Sequence, residues 1–118
     1  MKIEERSSGG VVILDVEGRM TVDAGRELCV ADIARGLIKQ GRKQILINLE
    51  RVSTVDSTGV RDIVEAYVTT TRQNGSLKLL HVPARVREVL TVTRIMTILE
   101  AYDAEVEAVA SFPTSATT

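Results

Sequence analysis

The segment Ile45-Leu46-Ile47-Asn48-Leu49 constrains the fold of this chain more than any other. It is short, nearly continuous apolar and rich in strand-forming side chains. Successive strand residues point to opposite faces, so apolar residues at both parities require cover on both sides. Such a strand belongs in the interior of a sheet flanked by helices.

The surrounding pattern supplies the other layers. Residues 2–8 mix charges with Ile3, Gly9-Gly10 reads as a tight turn, and residues 11–16 are apolar and β-branched. This predicts an antiparallel hairpin whose second strand ends at Gly18. Residues 24–40 predict a helix with Val30, Ile33, Ala34 and Leu37 on one face, Asp23 as N-cap and Gly41 just past its end. A second helix is expected from about Thr58 to Gln73, with Val60, Ile63, Val64 and Tyr67 inward and Asn74-Gly75 closing it. Residues 77–82 form the next strand. Pro83 suits the first position of a third helix that buries Val86, Val89 and Leu90. Residues 95–99 read as an apolar connector or short helical turn, and Ala101-Tyr102 as a short strand. Asp103 caps a last helix through Phe112, with Val106 and Val109 inward.

The order β-β-α-β-α-β-α-(β)-α implies an α/β domain over residues 1–112. Its mixed, mostly parallel sheet has four to five strands, an antiparallel N-terminal strand and about four packed helices. Residues 113–118 are expected to be a disordered tail.

Composition removes several function classes. The chain has 118 residues, 15 Lys+Arg against 16 Asp+Glu, and three aromatic residues. It lacks the basic excess that neutralises phosphates and the aromatic platform that stacks bases, so no nucleic acid is expected as partner. One cysteine, Cys29, excludes an internal disulfide, and one histidine, His81, excludes multi-histidine zinc sites. No apolar run approaches the length of a membrane helix, and no targeting segment is read at the start. A cytoplasmic protein without cofactor is the expectation.

Chemistry gathers in residues 52–60, between the most buried strand and a helix start. In parallel sheets function collects at the carboxyl ends of strands, and a helix N-terminus carries unsatisfied N–H groups and partial positive charge. One reading is that Asp56 or Ser57 simply caps the helix. The other is that Ser57 is a regulated hydroxyl, where a phosphate would add about −1.5 to −2 charges. The Gly-x-Ser-x-Gly elbow and the glycine-rich nucleotide loop are both absent, so catalysis is not expected. His81 and Cys29 read as structural residues, and Arg85, Arg87 and Arg94 as a solvated face.

Asp56-Ser57-Thr58-Gly59, lying between an apolar strand and an amphipathic helix, is similar to the phosphorylation loop of the STAS domain family. The chain resembles in particular the free-standing bacterial anti-sigma factor antagonists. Gly18-Arg19-Met20-Thr21-Val22 with Ala24, residues 45–49 with Val52, residues 74–79 and the Leu90-x-x-Thr93-x-x-x-x-Ile98-Leu99 pattern extend the resemblance across residues 2–112.

The resemblance implies that Ser57 is the phosphoacceptor of a partner-switching regulator. Its kinase would be an ATP-using anti-sigma factor, bound by the unphosphorylated chain and released on phosphorylation. A PP2C-type phosphatase would reset it. Asp56 would position the hydroxyl, Thr58 and Gly59 would shape the helix start, and Arg61, Asp62 and Glu65 would complete an exposed docking surface. The chain itself would be a monomer or weak homodimer. Arg61 stands where many relatives carry a second glycine. Alternative roles are a scaffold or adaptor subunit in a stress-sensing or lipid-transport complex, and a small-ligand or nucleotide binder.

Overall fold

Gly9 and Gly10 turn β1 (Lys2–Ser8) back along β2 (Val11–Met20), which pair antiparallel from Ser8 opposite Val11 to Lys2 opposite Glu17. The computed structural model describes residues 2–21 and 29–113. Beyond the hairpin follow α1 (Val30–Lys39), β3 (Gln44–Val55), α2 (Ser57–Arg72), β4 (Ser76–Leu80) and α3 (Ala84–Val92). A short 3-10 turn (Ile95–Thr97), β5 (Ala101–Tyr102) and α4 (Glu105–Ala110) complete the described chain. The sheet order is β1-β2-β3-β4-β5, with every pair after the first parallel. This is the α/β architecture expected, with five strands and four α-helices among the described residues.

The alternation within β3 explains its apolar run. Ile45, Ile47 and Leu49 enter the larger core with Val12 and Leu14 of β2, Ala34 and Leu37 of α1, Ile63 and Ala66 of α2, and Val86 and Leu90 of α3. Leu46 points the other way, joining Val11, Ile13, Leu80, Ala108 and Phe112 in a second cluster. Parallel crossovers of constant hand, run always toward the next strand, place α1, α2 and α3 on one face. The short α4 covers part of the other. Each fully buried aliphatic side chain contributes about 1.5–3 kcal/mol through burial.

Both strands leading to the loop are longer than expected. β2 does not end at Gly18: that residue adopts φ +109°, and the β2–β3 register shifts between Gly18 and Arg19. A side chain is strained in that backbone region, so glycine lets the strand bend and continue. β3 likewise runs through residues 52–55, expected to be loop, because β2 continues beside it until Met20 meets Val55.

Other expectations change at the helix ends. The described part of the first helix starts at Val30, after Cys29 in extended geometry without a side-chain cap. Asp23, read as its cap, lies outside the described residues. Gly41 takes the position after the C-cap as expected. Pro83 sits at the N-cap of α3 rather than in its first turn, and Val89 is only partly buried. The N-cap of α4 is Ala104, not Asp103. Val106 is 82% exposed rather than inward, while Ala108 is buried and Val109 packs partly against the second cluster. Glu105 fixes this rotation by taking two hydrogen bonds from Arg6 of β1, at 2.9 and 2.7 Å.

Candidate functional site

The candidate site lies where β3 hands over to α2. The Asp56 N–H donates to the Met20 carbonyl at 3.2 Å, which ties the end of β3 to the end of β2. Asp56 stays extended, and its Oδ1 accepts the N–H groups of Thr58 at 2.9 Å and Gly59 at 3.2 Å. Its carbonyl accepts the Val60 N–H at 2.9 Å, starting the helix. Asp56 is therefore the cap, and Ser57, the first residue of α2, is exposed. Thr58 is half-buried behind it.

Gly59 is buried because the first turn of α2 presses on the end of β2. A Cβ at this position would lie 2.2 Å from the Met20 carbonyl oxygen and 2.4 Å from Cγ2 of Val55. Both are far inside contact distance, and one is backbone, so a side chain here forces the helix away. The loop Asp56–Gly59 is thus held from both sides, by a capping carboxylate and by close backbone packing.

Along α2, Arg61 and Glu65 are exposed, as expected. Asp62 is not. It is half-buried, and its two oxygens accept the N–H groups of Val30 and Ala31, each at 2.9 Å. Cys29 offers α1 no side-chain cap, so these helix-end donors need an acceptor from elsewhere. The first turn of α1 is thereby fastened to the helix that begins with Ser57. Sequence reasoning missed this role because donor and acceptor are 31 and 32 residues apart.

The remaining candidates fall on other elements, with Cys29 directly preceding the Val30 N–H that Asp62 accepts. Burial, with help from a hydrogen bond to Asp32, pushes the Cys29 thiol up to about 11, which keeps it protonated at neutral pH. His81 follows β4 with φ +51°, and its N–H donates to Tyr102 at 2.8 Å. Arg85 and Arg87 stand in the first turn of α3 and Arg94 beyond its end, where it takes a left-handed conformation.

The sheet face opposite α2 carries a hollow of about 300 Å³ bordered by Lys2, Glu4, Arg6, Asp15, Asn48 and Arg51. Its charges largely satisfy one another: Arg6 pairs with Asp15 at 2.6 Å, Lys2 with Glu4 at 3.4 Å and Arg51 with Glu17 at 3.6 Å. Burial raises the Asp15 carboxyl, but hydrogen bonds from Arg6 and Asn48 outweigh it and hold the group below the usual carboxylate range. Among the described residues no cluster of His, Cys, Asp and Glu could hold a metal ion, and no helix is long and apolar enough to cross a membrane.

Residues 2–108 match the model of the family described as the STAS domain. Solved structures share the fold at low identity. An anti-sigma-factor antagonist (STAS) domain protein from Planctomyces limnophilus gives a TM-score of 0.80 at 20% identity, over 92% of this chain and 96% of its own. A candidate anti-sigma factor antagonist from Thermotoga maritima gives 0.78 at 21%, over 93% of both chains. The Bacillus cell fate determinant SpoIIAA in its phosphorylated form gives 0.69 at 21%, over 92% of this chain and 97% of its own. No curated protein sequence matches the chain.

Proposed function

The chain belongs to the STAS domain family, and from that membership we propose that it is an anti-sigma factor antagonist working by partner switching. In the unphosphorylated form it binds an anti-sigma factor that is also a serine kinase, which frees a sigma factor. Phosphorylation of Ser57 releases the antagonist, and a PP2C-type phosphatase restores it. The chain is the substrate and regulator, not the enzyme, and works in the cytoplasm as a monomer or weak homodimer.

The observation that carries this reading is the division of labour between Asp56 and Ser57. Asp56 caps the helix, so the exposed Ser57 hydroxyl is not needed to hold it. A kinase can engage that hydroxyl without unfolding the first turn of α2. In the transfer, Ser57 Oγ bonds to the γ-phosphorus of ATP held by the kinase. The bond to the ADP oxygen breaks, and the hydroxyl proton passes to a base of the kinase. The product carries about −1.5 to −2 charges at a helix N-terminus, which the helix dipole favours and the neighbouring Asp56 opposes. Docking uses Asp56, Ser57, Thr58 and Gly59 with Arg61 and Glu65. Asp62 serves it by holding α1 against α2.

The test is incubation with the cognate kinase and Mg-ATP, followed by intact mass and peptide mapping. The expected result is one phosphate on the wild type, at Ser57, and none on Ser57→Ala, which still binds the kinase. Equal labelling of Ser57→Ala overturns the site. A stable large assembly that ignores ATP favours an adaptor instead.

A further inference from the structure

We infer that Arg61 is the intramolecular counter-ion for a phosphate on Ser57, and that the phosphate draws its side chain back along α2. The inference rests on the phosphorylation proposed above and concerns the state after transfer. Ser57, Arg61 and Glu65 follow one another at four-residue steps along α2, and all three are exposed. Helix residues four apart stand about 5–6 Å apart at Cβ, so the long Arg61 side chain reaches either neighbour.

Among the described residues, two other carboxylates near the start of α2 are already engaged. Asp56 holds the N–H groups of Thr58 and Gly59, and Asp62 holds those of Val30 and Ala31. The first turn of α2 contains no acidic residue. Among the described residues, Arg61 has no carboxylate within 4 Å. Arg19, a second cation at this end of the sheet, stands opposite Thr54 in the β2–β3 register and has a partner of its own.

A phosphate on Ser57 therefore meets, one turn along its own helix, a guanidinium that no described carboxylate holds. It outbids Glu65 on charge, about −2 against −1, and its oxygens accept the planar guanidinium fork in bidentate fashion. One modification then alters the docking surface at two points. An anion appears at residue 57, and the cation at 61 is drawn onto it and away from a partner.

The experiment uses the full chain with phosphoserine installed at residue 57 during synthesis, so no kinase is required. The second ionisation of the phosphate is followed by phosphorus NMR in the parent, in Arg61→Gln and in Arg19→Gln. Loss of a neighbouring cation is expected to raise that pKa by about half a unit in Arg61→Gln. Arg19→Gln should leave it unchanged, and about 1 M salt should remove the difference. Unmodified Arg61→Gln, altered only at an exposed position, should melt with the parent. Identical titration of parent and Arg61→Gln overturns the inference, as does a shift that follows Arg19→Gln instead. Failure of the kinase to label Ser57 would defeat the proposed function while leaving this titration intact.

Discussion

Asp62 of α2 closes the N-terminus of α1 at Val30, its Oδ2 accepting the Val30 N–H at 2.9 Å while Oδ1 accepts the next N–H, from Ala31. A charged acceptor on two helix-end donors makes a stronger link than a neutral hydrogen bond. Asp62→Ala should cost about 1–2 kcal/mol in urea unfolding, by loss of a cap. Asp62→Asn, which keeps an acceptor oxygen, should lose less. Unchanged stability in Asp62→Ala would show that the two helices do not depend on this link.

Gly59→Ala tests the close approach of α2 to β2. With Met20 backbone 2.2 Å from the new Cβ, the helix must shift. A loss of about 2–3 kcal/mol is expected by chemical denaturation. Ser57→Ala, at an exposed position without a capping role, should stay within about 0.5 kcal/mol of the parent. The contrast separates what the loop needs for folding from what it offers a partner.

Asp56→Ala removes the acceptor from the N–H groups of Thr58 and Gly59. It should cost about 1–2 kcal/mol, and Asp56→Ser, which restores a capping oxygen, should recover most of it. Amide hydrogen exchange should quicken first at Thr58 and Gly59. Unaltered protection there would mean that Asp56 is not what orders the first turn.

Acid stability should depend on Arg6. Its hydrogen bonds hold the Glu105 carboxyl below the usual range, and at Asp15 they help outweigh burial to the same end. A carboxylate whose folded pKa is depressed stabilises the fold above its unfolded pKa. That contribution is lost as pH falls through the lower folded value. Arg6→Gln should therefore lose stability near neutral pH and show a shallower decline through the acid range. Parallel curves for parent and variant would remove the trio from the acid response.

Cys29 should be slow to alkylate. With its thiol pushed up to about 11, the thiolate fraction at neutral pH is roughly a hundredfold below that of a free thiol near 9. Iodoacetamide labelling of the folded chain should be correspondingly slow and speed up on unfolding in urea. Rapid labelling of the native protein at neutral pH would contradict this.

What the sequence determined by itself is what local periodicity encodes. Residues 45–49 show a strand covered on both faces because side chains alternate along it, and the face of α2 carrying Val60, Ile63, Val64 and Tyr67 follows from the helical repeat. The loop Asp56–Gly59 was legible for the same reason: an N-cap acts on donors two and three residues ahead. Even there, the choice between Asp56 and Ser57 as cap waited for the backbone geometry.

The tertiary structure decided everything that depends on residues far apart in the chain. β2 continues past Gly18, and β3 through residues 52–55, because each has the other to pair with. Val106 faces outward because Glu105 answers to Arg6, 99 residues away. Asp62 turns to Val30 rather than to solvent because α1 arrives beside it with uncapped donors. Short-range pattern tells a residue which side of its own element it occupies, whereas hydrogen-bonding partners across the fold are chosen only when the elements meet.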